Sequence, residues 1–463
     1  MPTPTQRHAA PAARSRRVSA LPRPREGRLL DSDIVAIIAA VVTCVVGIWV
    51  RHGGVSALGN GWTAASTSVA QLSGLLASLA GLFGIMLVAR PRAIERAYGL
   101  DRLFVWHRYL GETMAVVLGV HVVAGIVEWA QGATVWSAVR DAIGRQPYMA
   151  GATVGALLIT LVTVTSLRSV RNRMAYETWY FVHLLAYFAV AISFGHQIVV
   201  GGSLANDRVA RWFWVGLHLA VAACLVVSRW GTTVRAALDP LEVRSITRLT
   251  DDTVTIRLAG PALRRVEAEA GQFFLLRPLT PSLWWQTHPF SLSATPTTSG
   301  LEFSVKRRGD GSGEFARLQV GTKVAVEGPY GVGTPQAAAG RKMLFIAGGI
   351  GIAPIRALMQ RLPAGTNPVL LYRAHGEHDL VHLAELQQLA ESTGGEIRTL
   401  VGPTAKLTTK DPFGAASLRA ACPDVADRVA VLCGPERLVA AARRGLLDAG
   451  VDSIDIHYER AWW

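Results

Sequence analysis

The sequence predicts a multidomain membrane protein: a six-helix transmembrane bundle, then an antiparallel β-barrel domain and an α/β domain on a parallel sheet. Three observations carry this. Six apolar stretches in the first half approach the ~20 residues needed to cross a bilayer. After Arg229 and Trp230 the chain turns into short alternating strands separated by turn residues. From residue 341 strand, glycine turn and helix follow one another repeatedly. At 463 residues the chain is long for one domain. We divide it into a disordered tail at 1–32, a helical domain at 33–231, a barrel at 232–340 and an α/β domain at 341–463.

The six spans run approximately over 33–50, 66–90, 104–128, 147–167, 174–198 and 207–229, and an even number puts both ends on one side. Basic residues choose the side. The tail carries seven arginines, the second connection has Arg90, Arg92, Arg96 and Arg102, and the fourth has Arg168, Arg171 and Arg173. The other loops are poorer in charge, with Arg51, Arg140 and Arg145 the main exceptions. By the positive-inside rule the tail and the second half face the cytoplasm, and the protein sits multi-pass in the cell's inner or plasma membrane.

The same clustering explains the net charge of +14: arginine beside apolar runs is topology, and no nucleic-acid-binding motif accompanies it. The four cysteines, Cys44, Cys224, Cys422 and Cys433, have no C-x-x-C pairing, which argues against iron–sulfur and zinc sites. Ser15-Arg16-Arg17 faintly resembles a twin-arginine signal. However, Pro22, Arg23, Pro24, Arg25 and Arg28 stand where an apolar region should begin, so we read a cytosolic tail.

Ionisable residues at membrane depth are costly and usually functional. The third span carries His107 and His121, and the fifth carries His183 and His196. A spacing of 14 returns to within about 40° of the same helix face and separates two rings by about 21 Å along the axis. A spacing of 13 leaves the second ring about 140° away, so a bend or π-bulge near Gly195 is expected in the fifth span. Both spans run outward, so His107 pairs by depth with His183 and His121 with His196. Two bis-histidine b-type hemes stacked across the membrane follow, because two axial imidazoles give an iron that cycles by one electron. His218 reads as a packing residue. Arg108 and Arg51 are either heme-propionate partners or interfacial anchors. Tyr187 or Phe188 could lie between the hemes, although packing explains either.

These residues resemble the ferric reductase and NADPH oxidase superfamily, whose six-helix domain holds two hemes on paired histidines of the third and fifth helices at this spacing. The second half extends the resemblance. HPFSLSA (288–294) is similar to the flavin strand of that superfamily and of ferredoxin reductase-type flavoproteins. The resemblance implies His288, Pro289 and Phe290 at bound FAD, with Phe290 on the ring system and Ser291 near the hydride-accepting nitrogen. VKRRGDGS (305–312) resembles a K-x-x-G-D-x-[ST] stretch; Lys306 supplies charge, and Gly311 and Ser312 open a helix whose free N–H groups suit a pyrophosphate. GPYG (328–331) is similar to the turn that closes the flavin domain.

In MLFIAGGIGIAP (343–354), Gly348, Gly349 and Gly351 permit close backbone approach and Pro354 suits a first helical turn. The loop resembles the superfamily's nicotinamide-nucleotide site and is not a G-x-G-x-x-G fingerprint. Arg373 follows the next strand, where the adenosine ribose is read, and would favour NADPH over NADH if it held a 2′-phosphate. Cys433, Gly434 and Pro435 resemble the loop beside the hydride path. Glu459 fits a family ending in which an aromatic shields the flavin, here Trp462 or Trp463.

A two-electron hydride donor and one-electron hemes require a flavin between them. The expected route is NAD(P)H to FAD, to the heme on His107 and His183, to the heme on His121 and His196, then to an outer acceptor. That acceptor is a ferric or cupric chelate, dioxygen with superoxide release, or a protein partner served by a membrane relay. The dioxygen reading would use polar groups such as Arg51, His52 or Gln197.

Overall fold

The computed structural model describes residues 31–130, 134–308, 310–331, 340–407 and 411–458. Residues 1–30 of the expected tail, together with Glu459, Trp462 and Trp463, lie outside the described residues, and Asp31 and Ser32 already belong to the first helix. The chain divides into two compact units that part between Arg235 and Ala236.

Among the described residues of the first unit, six helices are long and apolar enough to cross a membrane: Ser32–Arg51, Trp62–Ala89, Leu100–Ala130, Met149–Ser166, Tyr176–Val199 and Arg208–Leu238. They match the six expected spans. Val116, Val123, Leu157 and Leu219 are exposed, an arrangement stable only where the surrounding solvent is apolar. Val45 and Trp49 of the first span, Leu75 and Leu79 of the second, and Ala210 and Trp214 of the sixth share a buried cluster.

The fifth span is a continuous α-helix over Tyr176–Val199, so the bulge expected near Gly195 is absent. Gly195 serves close packing instead: a Cβ there would lie 2.6 Å from the Tyr148 ring. The π-helical turn is in the sixth span, at Leu225–Trp230, where the helix carries on to Leu238 beyond the point at which its hydropathy fades.

The second unit begins with six strands: β1 (Leu241–Arg248), β2 (Thr253–Ala259), β3 (Phe273–Pro278), β4 (His288–Ser291), β5 (Leu301–Lys306) and β6 (Lys323–Tyr330). They form an antiparallel sheet in the order β4-β3-β6-β1-β2-β5. A bridge between Leu292 and Phe303 links its two ends, giving the barrel. Alternating residues put Val243, Ile256, Leu258, Phe274 and Phe303 inside, joined by Phe315 from the short helix Asp310–Phe315. Each such side chain contributes about 1.5–3 kcal/mol by leaving water.

The remaining strands, β7 (Met343–Gly348), β8 (Val369–Ala374), β9 (Glu396–Val401), β10 (Val429–Cys433) and β11 (Ile456–Tyr458), form a parallel sheet in the order β11-β10-β7-β8-β9. β7 is buried along its whole length, as a strand covered on both faces must be. The chain steps from β7 to β8 and β9 on one side and returns to β10 on the other. The strand order therefore reverses between β7 and β10, the place where such sheets bind ligands.

Candidate functional site

In the membrane unit the structure brings together all four histidines singled out in the sequence. The ring centres of His107 and His183 are 5.9 Å apart, and those of His121 and His196 are 6.3 Å apart. An iron bonded to two imidazoles at about 2 Å each separates the ring centres by roughly 6 Å. His107 Nδ1–H donates to the Gly84 carbonyl at 3.1 Å, and His121 Nδ1–H to the Ala70 carbonyl at 2.7 Å. Those bonds fix the tautomer, with the proton on Nδ1 and the lone pair on Nε2, the form in which an imidazole can bind a metal. His183 Nδ1 meets Ser166 Oγ at 3.3 Å, and Trp179 Nε1–H donates to the same oxygen at 3.2 Å. His196 Nδ1 is buried and has no hydrogen-bond partner among the described residues. Among the described residues no group of three or more His, Cys, Asp or Glu could hold a bare metal ion. Each pair fits a group that needs only two protein ligands, as a heme iron would with its other four donors coming from the porphyrin.

The second span was read only as a membrane crossing, yet its Gly84 and Ala70 carbonyls hold the His107 and His121 rings. Ala70, Gly74, Gly81 and Gly84 form a small-residue stripe that lets the third span approach. A Cβ at Gly74 would lie 2.8 Å from His121 Nδ1, whereas one at Gly84 would lie 3.5 Å from His107 Nδ1. The helical spacing of these small residues was the available signal.

Other intramembrane readings sort by their contacts. Phe188 is 56% exposed and points out of the bundle, so it cannot stand between the histidine pairs; Tyr187 is half-buried. Arg108 faces Glu112 at 3.7 Å on the exposed side of the third span. Arg51 and His52 both pair with Asp207, which also caps the sixth span through the Val209 and Ala210 N–H groups. Gln197 accepts from Trp214 Nε1 at 2.8 Å and Ser78 Oγ at 3.1 Å. His218 packs against Phe194 and Trp214 and donates to the Trp214 carbonyl at 2.9 Å.

In the second unit, β4 pairs with β3 and its residues His288, Pro289, Phe290 and Ser291 are all half-buried, leaving one face of the strand open. His288 stacks toward Phe290 at 6.5 Å and meets the edge of Phe315 at 5.2 Å. Burial lowers its pKa, with Glu314 opposing, so the ring is neutral at pH 7. Gly311 lies directly against it: a Cβ there would be 2.4 Å from His288 Cε1. The two motifs read separately in the sequence are thus neighbours. Ser312 lies inside the short helix and its Oγ accepts from the Arg308 N–H at 2.8 Å. Lys306 is engaged by Asp379 at 2.7 Å and Asp252 at 3.3 Å. Burial works against its charge, but those carboxylates outweigh it and hold its pKa above the ordinary lysine value.

At the strand-order reversal the two glycine loops touch. A Cβ at Gly351 would fall 2.3 Å from the Cys433 carbonyl oxygen, and one at Gly348 would fall 2.7 Å from Leu438 and 3.0 Å from Pro435. Gly434 abuts the Gly348 backbone, and Gly349 has a positive φ of 54°. Pro354 is buried in the first turn of the helix Ile352–Met359, and Cys433 ends β10. The bare backbone beside a helix start is what close approach of a dinucleotide requires. Arg373 at the end of β8 donates to the carbonyls of Ala374, Leu400 and Gly402.

Three family profiles match in chain order: a ferric reductase-like transmembrane component over residues 70–194, an FAD-binding domain over 240–334 and an oxidoreductase NAD-binding domain over 345–444. The reductase component of propane 2-monooxygenase from Rhodococcus jostii is 29% identical over 237 residues, 47% of this chain and 62% of that protein. Ferric/cupric reductase transmembrane component 1 of Candida albicans is 24% identical over 309 residues, 63% of this chain and 38% of that protein. Component 2 of Saccharomyces cerevisiae is 23% identical over 295 residues, 61% of this chain and 38% of that protein. The chain spans less than two thirds of the length of each of these relatives. With a ferric reductase-like transmembrane domain followed by FAD-binding and NAD-binding domains, the chain belongs to the ferric reductase superfamily.

Proposed function

We propose that this chain is a transmembrane oxidoreductase that moves electrons from cytosolic NADH or NADPH to an acceptor on the opposite face of the inner or plasma membrane, and that the acceptor is a ferric or cupric chelate. The observation that carries the proposal is the pairing of four intramembrane histidines at two depths, with the Nδ1–H of His107 and His121 spent on backbone carbonyls so that Nε2 is left to bind iron. FAD, when bound, converts the two electrons of a hydride into the single-electron steps that b-type hemes carry.

The division of labour among the residues follows from their surroundings. His107 and His183 would hold one heme and His121 and His196 the other. His288, Pro289, Phe290 and Ser291 offer the open face of β4 to the flavin, with Gly311 and Ser312 beside it. Gly348, Gly349, Gly351 and Pro354 admit the nucleotide, and Cys433, Gly434 and Pro435 wall the same crevice. Glu459, Trp462 and Trp463 retain the roles the resemblance implies. The division into tail, helical, barrel and nucleotide domains at 1–32, 33–231, 232–340 and 341–463 belongs to the same reading.

The ferric/cupric reductases of Candida albicans and Saccharomyces cerevisiae, matched across both halves of this chain, favour the metal chelate. The polar groups a dioxygen site would use are committed elsewhere, Arg51 and His52 to Asp207 and Gln197 to Trp214 and Ser78.

The test uses the full chain in sealed vesicles with ferric citrate trapped inside and NADH or NADPH added to the side bearing the soluble unit. Ferrous iron forming inside at a rate insensitive to superoxide dismutase is the expected result. Iron reduction abolished by superoxide dismutase would replace the chelate with dioxygen, and no electron transfer to either acceptor would overturn the transmembrane assignment.

A further inference from the structure

The flavin strand and the nucleotide helix are tied by one buried arginine that no motif includes. Arg356 lies two residues after Pro354 in the helix Ile352–Met359, and its side chain is only 10% exposed. Its Nη1 donates to the Ser293 carbonyl at 2.8 Å and to Glu302 Oε1 at 2.6 Å. Ser293 in turn lies two residues after Ser291, and its N–H donates to the Glu302 carbonyl at 2.8 Å.

The remaining bonds close a ring. Arg356 Nε donates to Glu385 Oε2 at 2.8 Å, Gln360 Nε2 donates to Glu385 Oε1 at 2.7 Å, and Gln360 Oε1 accepts the Thr295 N–H at 2.8 Å. Residues 356 and 360 are one helical turn apart and grip residues 293 and 295, so two points on the helix hold two points on the extended segment after β4. A planar guanidinium with fixed donors can define such a register, and a lysine ammonium cannot. Two further bonds cross the same seam, Lys306 to Asp379 at 2.7 Å and Ser304 to His382 at 3.1 Å. The domains therefore stay joined when the ring is broken, and what is lost is the register.

We propose that Arg356 is a positioning residue for hydride transfer, setting the nucleotide loop against the flavin strand. This rests on the reading of the soluble unit as an NAD(P)H-to-FAD reductase. The step it serves breaks one C–H bond of NAD(P)H and forms one N–H bond on the flavin, two electrons moving with the hydride. A misplacement of about 1 Å costs as much as 100-fold in rate, so loss of the ring should slow the step without weakening nucleotide binding to match.

The test is anaerobic stopped-flow reduction of the flavin in the full-length protein, comparing wild type with Arg356→Gln, Arg356→Lys and the milder Gln360→Ala. Expected are a roughly 10- to 100-fold fall in the limiting reduction rate for the two Arg356 variants and a smaller one for Gln360→Ala. The long-wavelength charge-transfer absorbance between flavin and nicotinamide should weaken in the same order, while the nucleotide concentration giving half the limiting rate stays nearly constant. If the Arg356 variants lose FAD, Gln360→Ala decides. Variants that keep the wild-type rate and charge-transfer absorbance in their FAD-bound fraction overturn the positioning role. Wild-type flavin left oxidised by both NADH and NADPH overturns the parent reading, and this one with it.

Discussion

The two units orient their key side chains by opposite means. In the membrane unit the imidazoles of His107 and His121 are aimed by backbone carbonyls of a neighbouring helix, and glycines make room for them. In the second unit the corresponding work falls to charged side chains, Arg356 with Glu302 and Glu385, and Lys306 with Asp252 and Asp379. The difference follows from the solvent. Lipid cannot solvate a stray charge, so a neutral ring held by a carbonyl is the economical arrangement there. At a domain seam bordered by water, ion pairs tolerate partial exposure and add directional precision.

The largest effect that would break this comparison comes from removing a histidine. His183→Ala or His107→Ala should abolish one of two hemes, halving the b-type absorbance, and should stop transfer to the outer acceptor while NAD(P)H still reduces the flavin. Undiminished heme content would remove the pair from the account.

Next in size is Gly351→Ala. Its Cβ would meet the Cys433 carbonyl oxygen, a backbone atom that cannot swing aside. The overlap costs about 1–3 kcal/mol, read as a roughly 5- to 150-fold rise in KM for NAD(P)H. The heme spectrum should not change.

The membrane counterpart is smaller and asymmetric. Gly74→Ala pushes on the His121 ring, and Gly84→Ala stays at ordinary contact distance from His107. Heme retention at the His121 pair should weaken about 10-fold in the first variant, as when a ligand's hydrogen-bond partner is lost, and stay unchanged in the second. Equal behaviour of the two would deny that the second span holds the rings.

The smallest effect is on stability against pH. His382 accepts or donates at Ser304 Oγ and faces Arg356, Glu385 and Glu302; burial first, and the Arg356 charge second, lower its pKa from 6.5 to about 4. The unfolded chain therefore binds the extra proton first, so this contribution is present above pH 6.5 and is lost as pH falls toward about 4. Thermal release of flavin should come a few degrees earlier at the acid end of that window. His382→Asn should flatten the decline, since asparagine tolerates the left-handed backbone at this position.

Much of this arrangement was legible in the sequence where chemistry and periodicity coincide. The six spans were visible because lipid demands continuous apolar runs, and the four histidines because they fall in two pairs at matched depths, whereas the lone His218 is accounted for by packing. The π-bulge expected near Gly195 proved unnecessary, since His183 and His196 come within 5.9 and 6.3 Å of their partner rings from a continuous α-helix. The sixth span was cut short because hydropathy fades at Arg229 although the backbone stays helical to Leu238. The Arg356 ring was invisible because Ser293, Glu302 and Glu385 are distant in sequence and no local pattern announces a contact made only on folding.

The most direct test of the central claim is the spectrum of the purified full-length protein before and after anaerobic addition of NADH or NADPH. Two b-type hemes per flavin, both reduced by the nucleotide and both lost in the quadruple variant of His107, His121, His183 and His196, is the predicted result. A purified protein that carries flavin and no heme absorbance would contradict it.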